Sequence, residues 1–193
     1  AASPAGPAVP AAGSEKAGKQ VERLRDRYVW GPKPFDFGEA AELRDRQRTE
    51  LAAPGTLNAK YSAGGLIDAE YLVQTLQIVH GRKSGGDIRS SNTLMALAAL
   101  KKAGAVTARD ADRIRASYIF LRDLINALRI FRGNAKDLGV PAPNSREYAV
   151  LARRMGYAGR DSAVRRDFER DLSGHMKSLV VLYRTTMTVL ERM

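Results

Sequence analysis

The chain has 193 residues, no cysteine, 44% hydrophobic residues, and 32 Lys plus Arg against 21 Asp plus Glu, a formal charge of +11. That suits one domain with a substantial core and excludes disulfide frameworks and thiolate metal sites. No apolar run approaches the roughly 20 residues that span a bilayer, and the positive balance fits anionic partners (nucleotides, nucleic acid or an acidic protein face) and a merely solubilising surface equally well.

Ala1 to Gly18 is rich in Ala, Pro and Gly, lacks the apolar run of a signal peptide, and reads as a flexible linker. No initiator Met opens it, which is expected of a domain taken from something longer. Lys19 to Tyr28 is a short, highly charged helix, stopped by Gly31-Pro32-Lys33-Pro34. Asp36 as N-cap, with Glu39 three residues on, makes a capping box and starts a helix to about Leu51. Its polar residues are mostly Glu and Arg, Arg44 among them, so Ala40, Leu43, Gln47 and Leu51 are the residues offered to a core. Ala53-Pro54-Gly55 ends it. Thr56 to Tyr61 is the one candidate strand, too short and solitary for a sheet.

The stretch Lys60 to Gly81 organises the rest. Gly64-Gly65 permits a sharp helix entry, and Asp68 and Glu70 place negative charge in the first turn, where the helix dipole favours it. Leu66, Ile67, Tyr71, Leu72, Val73, Leu76, Ile78 and Val79 make the helix apolar around most of its girth, as in a central helix. Glu70, Gln74 and Gln77 form a single polar stripe. Gly81 to Gly86 is a flexible connection.

Asn92 caps the next helix, to about Lys102, with Leu94, Met95, Leu97, Ala98 and Leu100 expected inside and Gly104 at its C-terminus. Thr107 and Asp110 make another capping box, opening a helix to about Phe131. Its Ile114, Tyr118, Leu121, Ile125 and Leu128 recur at the spacing of one buried face. A loop from Gly133 to Pro143 and a short helix from Asn144 to Met155 follow. The last helical segment is Asp161 to Met193, with Gly174 a candidate break and an apolar face of Leu172, Met176, Leu179, Leu182, Tyr183, Val189 and Leu190. Five to six substantial helices on short loops predict an all-α helical bundle.

Four blocks carry a family resemblance. Lys60 to Gln77 (Lys-x-x-x-Gly-Gly-Leu-x-Asp-x-Glu-Tyr-Leu-Val-Gln-x-Leu-Gln) resembles the segment after the nucleotidyltransferase palm in glutamine-synthetase adenylyltransferases, and more loosely that of PII uridylyltransferases. Arg89 to Leu97, Arg115 to Arg122 and Leu151 to Tyr157 resemble three later blocks, in the same order, so the resemblance runs from about Phe35 to Met193. It implies a helical domain next to a palm in cis. The parent enzyme would use ATP and Mg²⁺ to move AMP onto a tyrosine of glutamine synthetase, or UMP onto the PII protein, in the cytoplasm. Ile67 stands where the family usually has a basic residue. Ile125 and Asn126 stand where it often has Glu followed by His or Asn, so that ionic contact is not expected here.

The palm signature Gly-Ser-x-x-Asp-x-Asp has no counterpart: Gly13-Ser14 is followed by Glu15-Lys16. No catalytic residue, cofactor or metal ligand is therefore expected in this chain. The resemblance makes Lys60, Gly64, Gly65, Asp68 and Glu70 candidates for the palm boundary, against capping and structural pairing. Arg115, Arg122 and Arg129, seven residues apart, and Arg153 and Arg154, in the densest basic patch, are candidates for an anion or an acidic partner. The bland reading is pairing with Asp112, Asp123 and neighbouring helices for the first three, and solvated helix ends for the patch. Asp110-Ala111-Asp112 mimics a metal motif, but residues two apart on a helix diverge by about 200°. His80 and His175 are far apart and read as structural or surface residues. A stand-alone basic module binding nucleic acid or an acidic protein is the alternative, although no stacking platform or nucleic-acid motif supports nucleic acid. A plain structural scaffold is the third reading.

Overall fold

The computed structural model describes residues 13–32, 35–84, 86–134 and 136–192. Among them are seven α-helices: α1 (Glu15–Val29), α2 (Phe37–Leu51), α3 (Leu66–Ser84), α4 (Thr93–Lys102), α5 (Ala108–Arg132), α6 (Arg146–Arg154) and α7 (Asp161–Leu190), with a 3₁₀ turn at Gly86–Arg89. The all-α expectation holds, with one more helix than the upper count. The linker expectation over residues 1–12 lies outside the described residues. From Glu15 onward that stretch is already helix, begun after Ser14 and supported by a Lys19–Glu15 pair at 2.6 Å.

The chain divides into two compact units, Ala1–Asp36 with Tyr71–Ala111 and Phe37–Glu70 with Asp112–Met193. In the first, α4 packs on the 3₁₀ turn. The Asn92 side chain accepts hydrogen bonds from the Leu94 and Met95 amides, as its sequence position predicts. The buried face of α4 is Ala96, Leu97 and Leu100; Met95 and Ala98 are exposed. Gln77, of the polar stripe on α3, turns inward. It is buried, and its amide donates to the carbonyls of Ile88 (2.5 Å) and Ser90 (2.8 Å). A member of the polar stripe thus ties the 3₁₀ turn to α3, because those two carbonyls have no helical partner of their own.

In the second unit, α6 packs on α7. Phe168 centres the core, with ring centroids of Tyr148 at 5.0 Å, Tyr157 at 5.5 Å and Phe120 at 6.3 Å. Leu121, Leu124, Leu128, Leu151, Leu172 and Leu179 surround it. The Tyr148 hydroxyl donates to Glu169 and the Tyr157 hydroxyl to Asp171 (2.8 Å), so each ring is apolar inside and satisfied at its rim. Gly174 does not break α7. It is exposed, whereas Val164, Phe168, Leu172, Met176 and Leu179 keep one face buried through it; that burial outweighs the roughly 1 kcal/mol a helical glycine costs. Val189 is exposed and leaves the expected face.

No sheet forms among the described residues. The Thr56–Tyr61 segment makes a single antiparallel bridge, Asn58 with Gly139, through Ala59 N–H to Leu138 O (3.0 Å) and Val140 N–H to Leu57 O (2.7 Å). Its partner is the loop before α6, some 80 residues away, and this pairing positions the turn that follows.

Candidate functional site

The turn from Asn58 to Asp68 is built by side chains. The Asn58 carboxamide oxygen accepts from the Lys60 (2.9 Å) and Tyr61 (3.0 Å) amides, and the Ser62 hydroxyl accepts from the Asn58 amide (2.8 Å). Gly64 lies at φ +76°, and a Cβ there would collide with the main-chain carbonyl of Met176 on α7. Only glycine meets both demands.

Arg44 of α2 locks the turn. It is 0% exposed; its Nε donates to Asp68 Oδ1 at 2.6 Å and one Nη to the carbonyls of Tyr61 (2.9 Å) and Ser62 (3.2 Å). Asp68 Oδ2 accepts from the Gly64 amide at 2.5 Å. One planar guanidinium therefore joins a carboxylate and two main-chain carbonyls across three elements, which the compact ammonium of lysine could not match. This overturns the expected face of α2: Leu43 and Leu51 are exposed, and its one fully buried residue is the arginine. Helical periodicity sorts residues by polarity and carries no sign that a charge will meet its counter-charge 24 residues on.

The candidates separate accordingly. Gly64, Gly65 and Asp68 are buried, with both Asp68 oxygens engaged inside the protein. Lys60 and Glu70 remain partly exposed. Lys60 Nζ lies 5.0 Å from the Tyr61 ring centroid. Burial raises the Glu70 carboxyl above its ordinary range, and the charges of Lys60 and Arg122 partly offset that. Arg122 itself sits over the Tyr118 ring at 6.0 Å. One α5 arginine thus belongs with the turn. Arg115, Arg122 and Arg129 are exposed in steps of about 10 Å along α5. Arg122 sets its charge beside Glu70 of α3, a neighbouring-helix contact of the kind the bland reading allows.

The second basic patch is mostly engaged with helix ends. Arg153 bonds Asp161 and the Gly159 carbonyl (3.4 Å), holding the Asp161 carboxyl below its usual range. Arg165 donates to the carbonyls of Pro143 (2.8 Å) and Ser145. Arg154 is exposed.

Sequence reading missed one polar cluster. His175 of α7 stacks on Phe120 at 4.5 Å, with Nδ1 3.1 Å from the Ser117 hydroxyl of α5. Burial lowers the imidazole pKa, and the Asp171 charge partly opposes this. Serine, histidine and aspartate here resemble a nucleophile's set. However, Ser117 is 1% exposed and the Asp171 carboxylate accepts from Tyr157, so the cluster satisfies a helix interface and presents no attacking oxygen to a substrate. The only sequence signal was a lone His on an apolar face.

For the Mg²⁺ that the resemblance implies, the donor set does not fit. No three His, Asp or Glu among the described residues come together to hold a metal, and Asp68 is consumed by Arg44. No helix among the described residues is long and apolar enough to cross a membrane.

Fold and turn define a class: an all-α domain whose central helix enters through a turn tied by buried polar side chains. The family model of GlnD PII-uridylyltransferase matches residues 39–187, and the chain belongs to that family. It is 34% identical over 165 residues to the bifunctional glutamine synthetase adenylyltransferase/adenylyl-removing enzyme of Mycobacterium bovis, covering 80% of this chain and 16% of the relative. With the enzymes of the same name from Streptomyces avermitilis and Streptomyces coelicolor the identities are 32% and 31%, over 76% and 91% of this chain and 15% and 16% of theirs. The chain thus spans about one sixth of the length of the curated relatives it matches.

Proposed function

We propose that this chain is the non-catalytic helical domain of an adenylyltransferase that moves AMP from ATP, with Mg²⁺, onto a tyrosine of glutamine synthetase, bracing the palm that carries the chemistry. The observation that carries this reading is the locked turn. Lys60, Gly64, Gly65, Asp68 and Glu70 are the residues of the family motif, and three of them are spent on making the entrance of α3 rigid while Lys60 and Glu70 stay at its surface. A rigid support is what a neighbouring site needs to hold reacting groups within a fraction of an ångström. The names of the relatives favour glutamine synthetase as the substrate. The name of the matching family favours a second reading, UMP transfer to the PII protein.

The test has two arms. This chain alone, with Mg²⁺, glutamine synthetase and labelled ATP, is expected to transfer nothing; robust labelling overturns the non-catalytic role. A palm joined to this domain is expected to label glutamine synthetase and to lose that activity when the domain is removed. Unchanged activity overturns the bracing role, and labelling of PII from UTP instead selects the second reading.

A further inference from the structure

Helix α1 is mounted with its polar side inward. Its partly buried positions include Gly18, Glu22, Arg25, Asp26 and Val29, whereas Val21, Leu24 and Tyr28 are 65%, 57% and 90% exposed, with Ala17 exposed beside them. The sequence spacing of the outward set is four, three and four residues, an a/d seam two heptads long. An amphipathic helix ordinarily buries that stripe.

The inversion is held by named bonds within the first unit. Arg89 donates to Asp26 Oδ2 (3.4 Å) and to the Gly81 carbonyl (3.0 Å), and its guanidinium lies 4.8 Å from the Trp30 ring centroid. Arg25 lies over the same ring at 5.3 Å and bonds Asp26 at 2.7 Å. Trp30 Nε1 donates to the Gln77 carbonyl at 3.3 Å, and a Cβ on Gly81 would stand 2.8 Å from that nitrogen. A 15-residue helix is marginal alone, so these anchors decide which face meets solvent.

We propose that the Val21–Leu24–Tyr28 stripe is a docking seam for an amphipathic protein helix with acidic flanks. Charge selects this occupant. With Val21 and Tyr28 at a and Leu24 at d, the flanking e and g positions are Gly18, Arg25, Gln20 and Arg27, with no carboxylate among them; Arg25 is bonded to Asp26, which leaves the exposed Arg27 as the cation the seam presents. A second copy of this chain would set cationic flanks against cationic flanks. An acidic helix supplies a counter-charge to Arg27 while covering the seam. The stripe is also narrower than the wide apolar face with which helices lie in a bilayer surface. The seam lies before residue 39, where the family match begins, and its role is separate from the bracing proposed above.

The test uses the whole chain, isotope-labelled, and a synthetic peptide of about four heptads with Leu at a and d and Glu at every e and g. A counterpart with Lys in place of Glu is the control. The Glu peptide is expected to bind saturably, to shift amide resonances of α1, and to weaken as salt rises. Leu24→Ser and Arg27→Glu are each expected to weaken it, the first by roughly tenfold or more. Both sites are exposed, and unchanged Trp30 fluorescence and circular dichroism verify that each variant is folded. Absent binding, equal binding of the Lys peptide, or indifference to Leu24→Ser overturns the proposal. So does Leu24-dependent sedimentation with phosphatidylserine vesicles, which assigns the seam to a membrane, or Leu24-dependent dimerisation, which assigns it to a second copy.

Discussion

Two arginines anchor two regions in opposite ways. Arg44 sits dry beneath the turn of the second unit, with its side chain and that of Asp68 only 1% and 4% exposed. Arg89 sits half in water beside Trp30 of the first unit, sharing Asp26 with Arg25. Both guanidiniums pin a segment by a carboxylate, a carbonyl and planar stacking or bonding. Desolvation makes them unequal: removing one partner of a dry pair strands a buried charge, whereas removing one partner of a wet pair returns the other to solvent.

Breaking the dry anchor is the largest expected effect. Arg44→Met should cost about 3–5 kcal/mol in denaturant unfolding of the second unit, and Asp68→Asn a similar amount. The double variant should cost much less than their sum, because neither leaves a lone charge behind. Additive losses would show that the pair is not the lock. Gly64→Ala comes next, at about 2 kcal/mol or more, since a left-handed backbone and the Met176 carbonyl both oppose a Cβ. Gly104→Ala, at φ +71° with open surroundings, carries only the conformational part, about 1 kcal/mol. Equal losses at the two glycines would remove the steric role assigned to Met176.

The wet anchor is expected to respond less. Arg89→Ala should cost about 1 kcal/mol and shift the emission of Trp30, the only tryptophan in the chain. A loss as large as that of Arg44→Met would erase the contrast. A smaller, pH-dependent effect belongs to His175. Its folded pKa is depressed by burial, so the unfolded chain takes up the proton first as pH falls through about 6.5. Stability should therefore fall from that point down through the folded value, and His175→Gln should remove that slope. Glu70, with a raised folded pKa, contributes in the opposite direction as pH rises through its ordinary carboxyl range, so the comparison is between variants at one pH. Smallest of all, Leu24→Ser should leave stability within about 0.5 kcal/mol, because the residue is exposed.

Legibility in the sequence tracks the range of the interaction. The caps at Asn92 and Thr107 were readable because each bonds an amide two or three residues away. The buried faces of α5 and α7 were readable because burial there repeats at helical period over many turns. α2 defeated the same reading, because its decisive residue bonds Asp68 across the fold. The candidate list for the turn follows the motif and omits Arg44, which no local pattern marks. Asp68 stood there as a candidate for a neighbouring site, and its two oxygens prove to be occupied.

By itself the sequence determined the helical class, most helix limits and the place of the glycine-led entrance, since these follow from backbone preference and from apolar residues recurring every third or fourth position. Tertiary structure alone decided that an arginine would be the driest residue of α2, that Gly174 would be bridged, and that α1 would turn its apolar stripe outward. Each of those outcomes depends on which partner arrives from a distant part of the chain, and free energy assigned to a pair cannot be read from either member alone.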